Sequence, residues 1–365
     1  MSKAYDRLSW NFIEATLQKL GFSQQWIQLV MQCITTVTYS IPVNGTPTEK
    51  FKPNCGIRQG DPLSPYIFII CTNILSCMLQ KLEDSGTLKG VAINKGRLPI
   101  SHLMFADDII IFFKVANQNT DKLSQTLQSF CALSSQKING TKSVMVVSPN
   151  CDETIKEDLV RKLKVNIAEK IGKYLRIPVD PRTPKREIGN QIIDLLQSRL
   201  QTWKGKFLSP ARKLTLIKSV MQAMPIYSML IHRLSKDAYN RIDRIIRDFW
   251  WGNTAKVRKL HTIAWDTICQ PKEIGGVGIR KIEQFNQALL AKQYWRINQN
   301  PQSLLATTLK GKYFPKAQNL WDMERCPTIA SQLWKGIWRT KETLLIGAKW
   351  QVGMGDGIKL RDPLW

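Results

Sequence analysis

The stretch Leu103-Met104-Phe105-Ala106-Asp107-Asp108-Ile109-Ile110-Ile111-Phe112-Phe113 places two adjacent carboxylates between two apolar runs. This pattern predicts a hairpin of two short buried strands with the aspartates at the turn. A carboxylate is rarely buried unless it is paired or bound to a metal, and an oxygen-only site favours Mg²⁺ or Mn²⁺. Taken alone, the stretch fits a solvated Asp-Asp turn better than a metal site. The rest of the chain is therefore needed to distinguish a metal site from a solvated turn.

Length and composition limit the class of protein. The 365 residues suffice for two or three domains with an ample core. The N-terminus has no apolar signal core, and no segment is expected to cross a membrane. Eight cysteines occur without a CxxC pair, which argues against a zinc site and a disulfide framework. We therefore expect an intracellular protein, in the nucleus or the cytoplasm.

Charge is the strongest compositional signal. The chain has 53 Lys and Arg against 28 Asp and Glu, a formal net charge of +25. A protein this basic is expected to bind a polyanion, and nucleic acid is the commonest one. The alternative explanation of the charge is that the lysines only keep the protein surface soluble and bind no polyanion. The basic residues are dense between Arg199 and Lys259, where only Asp237, Asp243 and Asp248 oppose them, and this density favours nucleic acid.

The first part of the chain has mixed periodicity. A helical stripe from Leu8 to Leu20 is followed by a helix capped by Ser23. An Asn44-Gly45 turn between Thr36–Val43 and Thr48–Phe51 predicts a β-hairpin. The glycine-containing loop 56–61 precedes a long apolar helix over Pro62–Leu82, in which Asp61 and Pro62 fit a helix start.

Helical spacing dominates after about residue 180. Three segments show it, with basic residues between apolar ones: Ile188–Leu200, Arg212–Met224 and Ala238–Trp251. Together with the mixed first part, this predicts an α+β fold class. The histidines at 102, 232 and 261 are too dispersed to form a site.

Four motifs occur in an order that resembles the palm of a reverse transcriptase. They are Lys3-Ala4-Tyr5-Asp6, Gly56-Ile57-Arg58-Gln59-Gly60-Asp61-Pro62-Leu63-Ser64-Pro65, Phe105-Ala106-Asp107-Asp108 and Lys137-Ile138-Asn139-Gly140-Thr141-Lys142-Ser143. Their form is similar to non-LTR (LINE-type) retrotransposon polymerases, especially those of plants. The resemblance continues through Tyr174-Leu175-Arg176, Phe249-Trp250-Trp251-Gly252, Gly275-Gly276 and Asn286-Gln287-Ala288-Leu289-Leu290.

The resemblance implies RNA-directed DNA synthesis with Mg²⁺ or Mn²⁺, an RNA template, a DNA primer and deoxynucleotides. Two metal ions would clamp the attacking and leaving oxygens of an in-line displacement. Asp107 corresponds to the main metal ligand of the hairpin, and Asp108 to its partner. Tyr5 corresponds to the residue that packs under the sugar and excludes a 2′-hydroxyl, although it also fits an ordinary core aromatic.

Three loop residues correspond to the family's contact with template and incoming base pair: Arg58, Gln59 and Gly60. Glycine there permits close backbone approach, and glutamine can bond to sugar or base edges. Arg58 also fits a merely solvated arginine, and Asp61 is expected to be structural. Lys142 corresponds to a family lysine near the incoming triphosphate, or else to a simple solvent contact.

The basic helices resemble the thumb, which grips the nucleic-acid backbone without reading its sequence. The residues predicted to bind there are Lys204, Arg212, Lys213 and Lys218. The resemblance divides the chain into a palm over 1–180, a thumb over 181–260 and a C-terminal connector over 261–365.

One family residue has no counterpart in this sequence. The family's first motif reads Asp-x-x-Lys-Ala-Tyr/Phe-Asp, and its first aspartate bridges the metals. That aspartate aligns with the position immediately before Met1, and the fingers would precede it. Asp6 corresponds to the second aspartate and is expected to cap the following helix.

The sequence therefore predicts a LINE-type reverse transcriptase fragment, cut at both ends and inactive or very weak alone. The alternatives are a non-catalytic nucleic-acid-binding remnant, or a gene model in which an internal Met was taken as the start of a longer frame. Smaller departures, such as Arg176 where the family usually has Gly, fit an element no longer under selection.

Overall fold

The computed structural model describes residues 1–92, 99–175, 177–179, 183–202, 208–253, 259–315 and 320–349. The chain divides into two compact units, Met1–Ile171 (unit 1) and Gly172–Trp365 (unit 2). Helices predominate in the described residues and the strands are short, so the fold is a mixture of helices and small sheets, compatible with the α+β prediction.

Unit 1 contains six helices and six strands among the described residues. The helices are α1 (Ala4–Arg7), α2 (Trp10–Lys19), α3 (Gln24–Thr35), α4 (Ser64–Asp84), α5 (Asn117–Ser134) and α6 (Glu153–Leu163). The strands are β1 (Pro42–Val43), β2 (Thr46–Pro47), β3 (His102–Phe105), β4 (Asp108–Ile111), β5 (Val144–Met145) and β6 (Asn166–Ile167). β1–β2 and β3–β4 pair antiparallel, whereas β5–β6 pair parallel.

The helix α4 is the centre of the unit 1 core. It packs against α2 and α5 and buries residues such as Phe68, Leu75 and Leu79 completely. By length and composition α4 could cross a membrane, which corrects the expectation that no segment could. Seven of its residues are buried inside the unit, as in the core helix of a folded domain, whereas Tyr66 and Ile69 are exposed.

The first hairpin is shorter than predicted. The Asn44-Gly45 turn forms as expected, with φ values of 49° and 85°, which suit the tight turns of β-hairpins. Regular pairing covers only Pro42 with Pro47 and Val43 with Thr46, and Tyr39–Phe51 adds an isolated bridge. Proline lacks the N–H that a strand ladder needs, so the two prolines explain why pairing stops.

Unit 2 is mainly helical in its described part. Its helices are α7 (Lys185–Thr202), α8 (Pro210–Leu216), α9 (Ile226–Met229), α10 (Lys236–Trp251), α11 (Trp265–Ile268), α12 (Ile282–Gln299), α13 (Leu304–Tyr313), α14 (Gln332–Trp338) and α15 (Lys341–Gly347). The strands β7 (Lys173–Tyr174) and β8 (Ile177–Pro178) pair antiparallel. The predicted helix over Arg212–Met224 is instead α8 continued by a π-helical turn, Ile217–Met221.

Two apolar clusters form the core of unit 2. One lies between α7 and α10, and the other surrounds Trp334, whose ring stacks on Tyr313 at 5.3 Å and on Phe314 at 5.5 Å. Both clusters draw on residues of α12.

Asn286 on α12 is fully buried and makes four hydrogen bonds. Its amide nitrogen donates to the carbonyls of Met229 (2.7 Å) and His232 (3.0 Å). Its Oδ1 accepts from the Leu234 N–H (3.1 Å) and the Tyr239 hydroxyl (2.7 Å). All of its polar atoms are therefore used, and the side chain fixes the loop between α9 and α10 onto α12. We call this set of contacts the Asn286 node.

Candidate active site

The hairpin predicted around the two aspartates is present. β3 and β4 pair in register, with Phe105 opposite Asp108, so the turn consists of Ala106 and Asp107. Asp108 is thus the first residue of β4 and not a turn residue. Ala106 has a φ of 51°, which is uncommon for a residue other than glycine. The strands are partly rather than fully buried, which corrects the prediction of buried strands.

Both carboxylates are accessible. The Asp107 side chain is 46% exposed, and Asp108 is more exposed still. Neither therefore bears the full cost of burying a charge, and both can meet a hydrated cation or a phosphate-bound metal. Within the described residues, no three His, Cys, Asp or Glu side chains come together to hold a metal ion. The hairpin offers a pair of oxygen ligands, not a closed cage.

The first residues of the chain run alongside the hairpin tip. The Met1 nitrogen donates to the Asp107 carbonyl at 3.1 Å and lies 3.9 Å from its Oδ2. The Ser2 N–H donates to the Lys137 carbonyl at 2.9 Å. Gln136 Nε2 donates to the buried Ala4 carbonyl at 2.7 Å. The N-terminal segment that carries the first motif is thereby joined to the hairpin motif and to the segment of the fourth motif.

Tyr5 lies between the hairpin and the core. Its ring stacks on Phe68 of α4, with centroids 5.0 Å apart and planes 12° apart. Burial raises the pKa of the Tyr5 hydroxyl, and the negative charge of Asp107 raises it further. The structure therefore brings Tyr5 and Asp107 together and keeps the phenol protonated.

The glycine-containing loop is fastened to α1 by its backbone. The Gly56 N–H donates to the Leu8 carbonyl and the Ile57 N–H to the Tyr5 carbonyl, both at 2.8 Å. Trp10 Nε1 donates to the Gly56 carbonyl at 2.7 Å. Gly56 is buried with a φ of 87°, and a Cβ there would lie 2.6 Å from the Asp6 carbonyl oxygen. Only glycine fits this position without moving α1.

The rest of the loop is open to solvent. Arg58, Gln59 and Gly60 are all exposed, and a Cβ at Gly60 would meet no atom within 4 Å. Asp61 Oδ1 accepts from the Leu63 N–H at 2.8 Å, which agrees with its expected structural role before α4. The three predicted contact residues are thus free to meet a ligand from outside.

A cleft of about 310 Å³ adjoins this loop and was not predicted. Its walls come from α1, the end of α3, the Tyr39–Phe51 bridge and the start of α4, and include Asp6, Asn54 and Arg58. The contributing segments are far apart in sequence, so no local pattern could have revealed it. Asp6 lies inside α1 and α2 begins after Ser9, which corrects the expectation that Asp6 caps the following helix.

The family model described as reverse transcriptase (RNA-dependent DNA polymerase) matches residues 1–208. The chain belongs to the reverse transcriptase family. This confirms the prediction from the ordered motifs, which all lie within the matched region.

Relatives of the reverse transcriptase include retroelement proteins. It is 32% identical over 196 residues to a putative ribonuclease H protein of Arabidopsis thaliana, covering 52% of this chain and 31% of that protein. It is 23% identical over 325 residues to the transposon TX1 149 kDa protein of Xenopus laevis, covering 87% and 24%. It is 30% identical over 149 residues to a Pol polyprotein from the retrotransposable element R2 of Popillia japonica, covering 40% and 19%. These relatives support the prediction of a plant-like, non-LTR type, and the chain spans a third or less of their lengths.

Lys142 lies in a turn before β5. Its N–H donates to the Asn139 carbonyl at 3.2 Å, and its side chain is exposed. In the described part of the chain, its amine makes no hydrogen bond or ion pair, so a contact with triphosphate stays a prediction.

The predicted thumb lysines differ in accessibility. Lys204 lies outside the described residues, and Arg212 is exposed. Lys213 is 9% exposed, and its Nζ donates to the Trp250 carbonyl at 3.2 Å, near the C-terminus of α10. Burial lowers the pKa of Lys213, and the charge of Lys259 lowers it further. Lys218 is half-buried beside Gly278. Lys213 thus has a structural role in the reverse transcriptase, and its contact with nucleic acid stays a prediction.

Proposed function

We propose that unit 1 carries the nucleotidyl-transfer site of an RNA-directed DNA polymerase that extends a DNA primer on an RNA template with deoxynucleotides. The observation that supports this most is the convergence of the Met1 backbone, Tyr5 and the carboxylate-bearing turn at Asp107. This convergence brings the family's first motif close to its hairpin motif in space, although Met1 and Asp107 are 106 positions apart in the chain.

Asp107 and Asp108 are the residues that would hold Mg²⁺ or Mn²⁺. Two accessible carboxylates at one turn fit a hard cation that keeps part of its hydration shell. When bound, the metal would neutralise charge that develops on the phosphate. The two aspartates would fix its position and leave open sites for substrate oxygens.

A third carboxylate would reach the site from the position bonded to the Met1 nitrogen. That nitrogen lies 3.1 Å from the Asp107 carbonyl, so a residue attached to it emerges at the hairpin tip. The family places its bridging aspartate at this position. Because no third carboxylate is grouped with the hairpin pair among the described residues, we propose that these residues catalyse weakly or not at all by themselves.

Tyr5 and the glycine-containing loop would position the substrate. The stack on Phe68 holds the Tyr5 ring in one orientation, as a residue that excludes a 2′-hydroxyl by contact requires. Gln59 and Gly60 are exposed at the adjoining loop and would contact the template. The fastening at Gly56 would keep this loop at a fixed distance from Tyr5.

The larger assignments follow from the family. We propose that unit 1 is the palm, with thumb and connector in unit 2 as predicted over 181–260 and 261–365. The boundary between the two units falls between residues 171 and 172, near the proposed end of the palm at residue 180. An intracellular location, in the nucleus or cytoplasm, is proposed from the cysteine pattern.

A second candidate is a non-catalytic nucleic-acid-binding remnant. The net charge of +25 favours it, and so does the finding that no third carboxylate is grouped with the hairpin pair among the described residues. The two candidates predict different results when a third carboxylate is added at the hairpin tip. Only the first candidate predicts a gain of polymerase activity.

Primer extension tests the proposal. The purified chain would be incubated with an RNA template, a DNA primer, deoxynucleotides and Mg²⁺, next to an Asp107→Asn, Asp108→Asn variant. We expect product near background for both, with nucleic-acid binding retained. Robust extension that persists in the double variant would overturn the hairpin assignment. Robust extension that the variant abolishes would overturn the proposed inactivity and show that another carboxylate, such as Asp6, completes the site.

A further inference from the structure

Four basic side chains converge in unit 2 from three separate segments. Lys185 begins α7, Arg233 lies between α9 and α10, Lys335 is within α14, and Arg339 follows α14 directly. The charges of Arg339, Arg233 and Lys335 all act on Lys185. Lys335 and Arg339, at the end of α14, are four residues apart and therefore lie on the same side of the helix end.

Two of these segments pack against each other at Gly336. A Cβ at Gly336 would lie 3.5 Å from the Arg233 Cβ and 3.8 Å from the Arg233 nitrogen. The Arg233 backbone therefore packs directly on α14 between Lys335 and Ile337. Gly336 is buried, so this packing belongs to the interior of the unit and does not depend on a mobile surface side chain.

Among the residues that the structure describes, the cluster has no paired counter-charge. Across the described ranges, no carboxylate lies within ion-pair distance of any of the four basic groups. Arg233 lowers the pKa of the Tyr239 hydroxyl and Glu283 raises it, but no ion pair joins Glu283 to Arg233 in the part of the chain that the structure describes. Burial lowers the pKa of the Lys185 amine, and repulsion by the three neighbouring cations lowers it further. A bound anion would reduce this repulsion.

The chemistry of the cluster suits phosphate diesters. Guanidinium groups bind phosphate oxygens through paired N–H donors, and ammonium groups add point charges. Lys335 and Arg339 are exposed, whereas Lys185 and Arg233 are half-buried, so a ligand could reach all four from one side. A chain of regularly spaced phosphates would meet several of these cations at once.

We propose that Lys185, Arg233, Lys335 and Arg339 form a contact for the sugar-phosphate backbone of the RNA–DNA duplex. This inference rests on the proposed function and extends it, because it makes α14 of the C-terminal region part of the nucleic-acid interface. The four cations would recognise the charge and spacing of the phosphates. The contact therefore adds affinity without sequence preference.

A matched pair of double variants tests the contact. Lys335→Gln, Arg339→Gln removes two exposed charges four residues apart, and Lys292→Gln, Arg296→Gln on α12 removes the same residue types at the same spacing from exposed positions. Binding of an RNA–DNA duplex to the full chain would be measured between 50 and 200 mM salt. Each lost phosphate contact lowers the slope of log K against log salt by about 1, so the first variant should lose about 2. The control should retain the slope of the parent chain.

A second measurement does not depend on variants. Lysine acylation followed by mass spectrometry would compare Lys185, Lys335 and Lys292 in the free chain and in the duplex complex. We expect the duplex to slow acylation at the first two residues and not at Lys292. Equal slopes for the two double variants, or equal protection of the three lysines, would overturn the inference.

The readouts separate this inference from the proposed catalytic function, because binding needs no chemistry. The Asp107→Asn, Asp108→Asn variant should bind the duplex with the same salt slope as the parent chain. A smaller slope of log K against log salt in the Lys335→Gln, Arg339→Gln variant supports the contact even when primer extension fails under every condition. Absence of any duplex binding by the parent chain would overturn both the contact and the polymerase assignment.

Discussion

The hairpin tip and the Asn286 node use polar side chains in opposite ways. At the node, Asn286 is completely buried and every one of its polar atoms has a partner. At the tip, the Asp107 side chain is partly exposed and Asp108 is exposed. A saturated buried amide stabilises one arrangement of the chain, whereas accessible carboxylates remain available for a ligand. The node is therefore expected to determine stability, and the tip to determine chemistry.

Removing the Asn286 side chain should cause the largest loss of stability. Asn286→Ala leaves two buried carbonyls, one N–H and the Tyr239 hydroxyl without their partner, so unfolding free energy should fall by about 3 kcal/mol. Denaturant unfolding would measure it. The neighbouring Gln287→Ala removes one exposed hydrogen bond to Thr343 and should cost under about 1 kcal/mol. Similar losses for the two variants would contradict the role of the node.

The two loop glycines provide the next contrast. Gly56→Ala combines a positive φ with a Cβ placed 2.6 Å from the Asp6 carbonyl, and it should cost about 2 kcal/mol or more. Gly60→Ala has a similar φ in open space and should cost about 1 kcal/mol, from the backbone alone. Thermal unfolding of both variants would measure the difference. If Gly60→Ala were the more destabilising, the fastening of the loop to α1 would be wrong.

The stability of unit 2 is expected to depend on pH because of Asp243. Burial raises its pKa to about 6, although the Ile282 N–H donates to its Oδ1 at 3.2 Å. A carboxyl with a raised pKa binds its proton more tightly in the folded state. Its contribution to stability is therefore present below the unfolded pKa and lost as pH rises through 6. Melting temperatures at pH 4.5 and 7.5 should show that the parent chain loses stability relative to Asp243→Asn as pH rises. The opposite trend would contradict the buried position.

The smallest changes are expected at the hairpin tip. Asp107→Asn, Asp108→Asn should alter the free energy of unfolding by less than about 0.5 kcal/mol, because both side chains are accessible. Asp107→Asn should also lower the pKa of Tyr5, since the Asp107 charge raises it. Titration of ring-labelled tyrosine by NMR would detect the shift. An unchanged Tyr5 would place the two groups too far apart to share a site.

Local patterns predicted the parts of the fold that depend on local chemistry. The Ser23 cap, the Asn44-Gly45 turn and the paired strands around Asp107 all occur where the sequence placed them. Each is determined by residues within a few positions of one another. The sequence also predicted the family, because four motifs in one order are more specific than any one motif alone.

The features that sequence reasoning missed depend on contacts between distant segments. The motif that contains Asn286 does not indicate its hydrogen-bond partners, because they are 47 to 57 residues away. Lys213 was expected on a binding surface, but the carbonyl that it contacts belongs to Trp250, 37 residues later. The cleft beside the loop and the cluster around Lys185 likewise combine several elements. No spacing rule within one element could have indicated them.

The most direct test of the central claim is a gain of activity at the hairpin tip. The chain would be extended before Met1 by a short apolar strand that ends in Asp, with a matched version that ends in Asn, and both would be assayed by primer extension on RNA. The account predicts product with the Asp version, little or none with the Asn version, and none when Asp107→Asn, Asp108→Asn is added. Equal product from the Asp and Asn versions, or product that survives the hairpin substitutions, would contradict it.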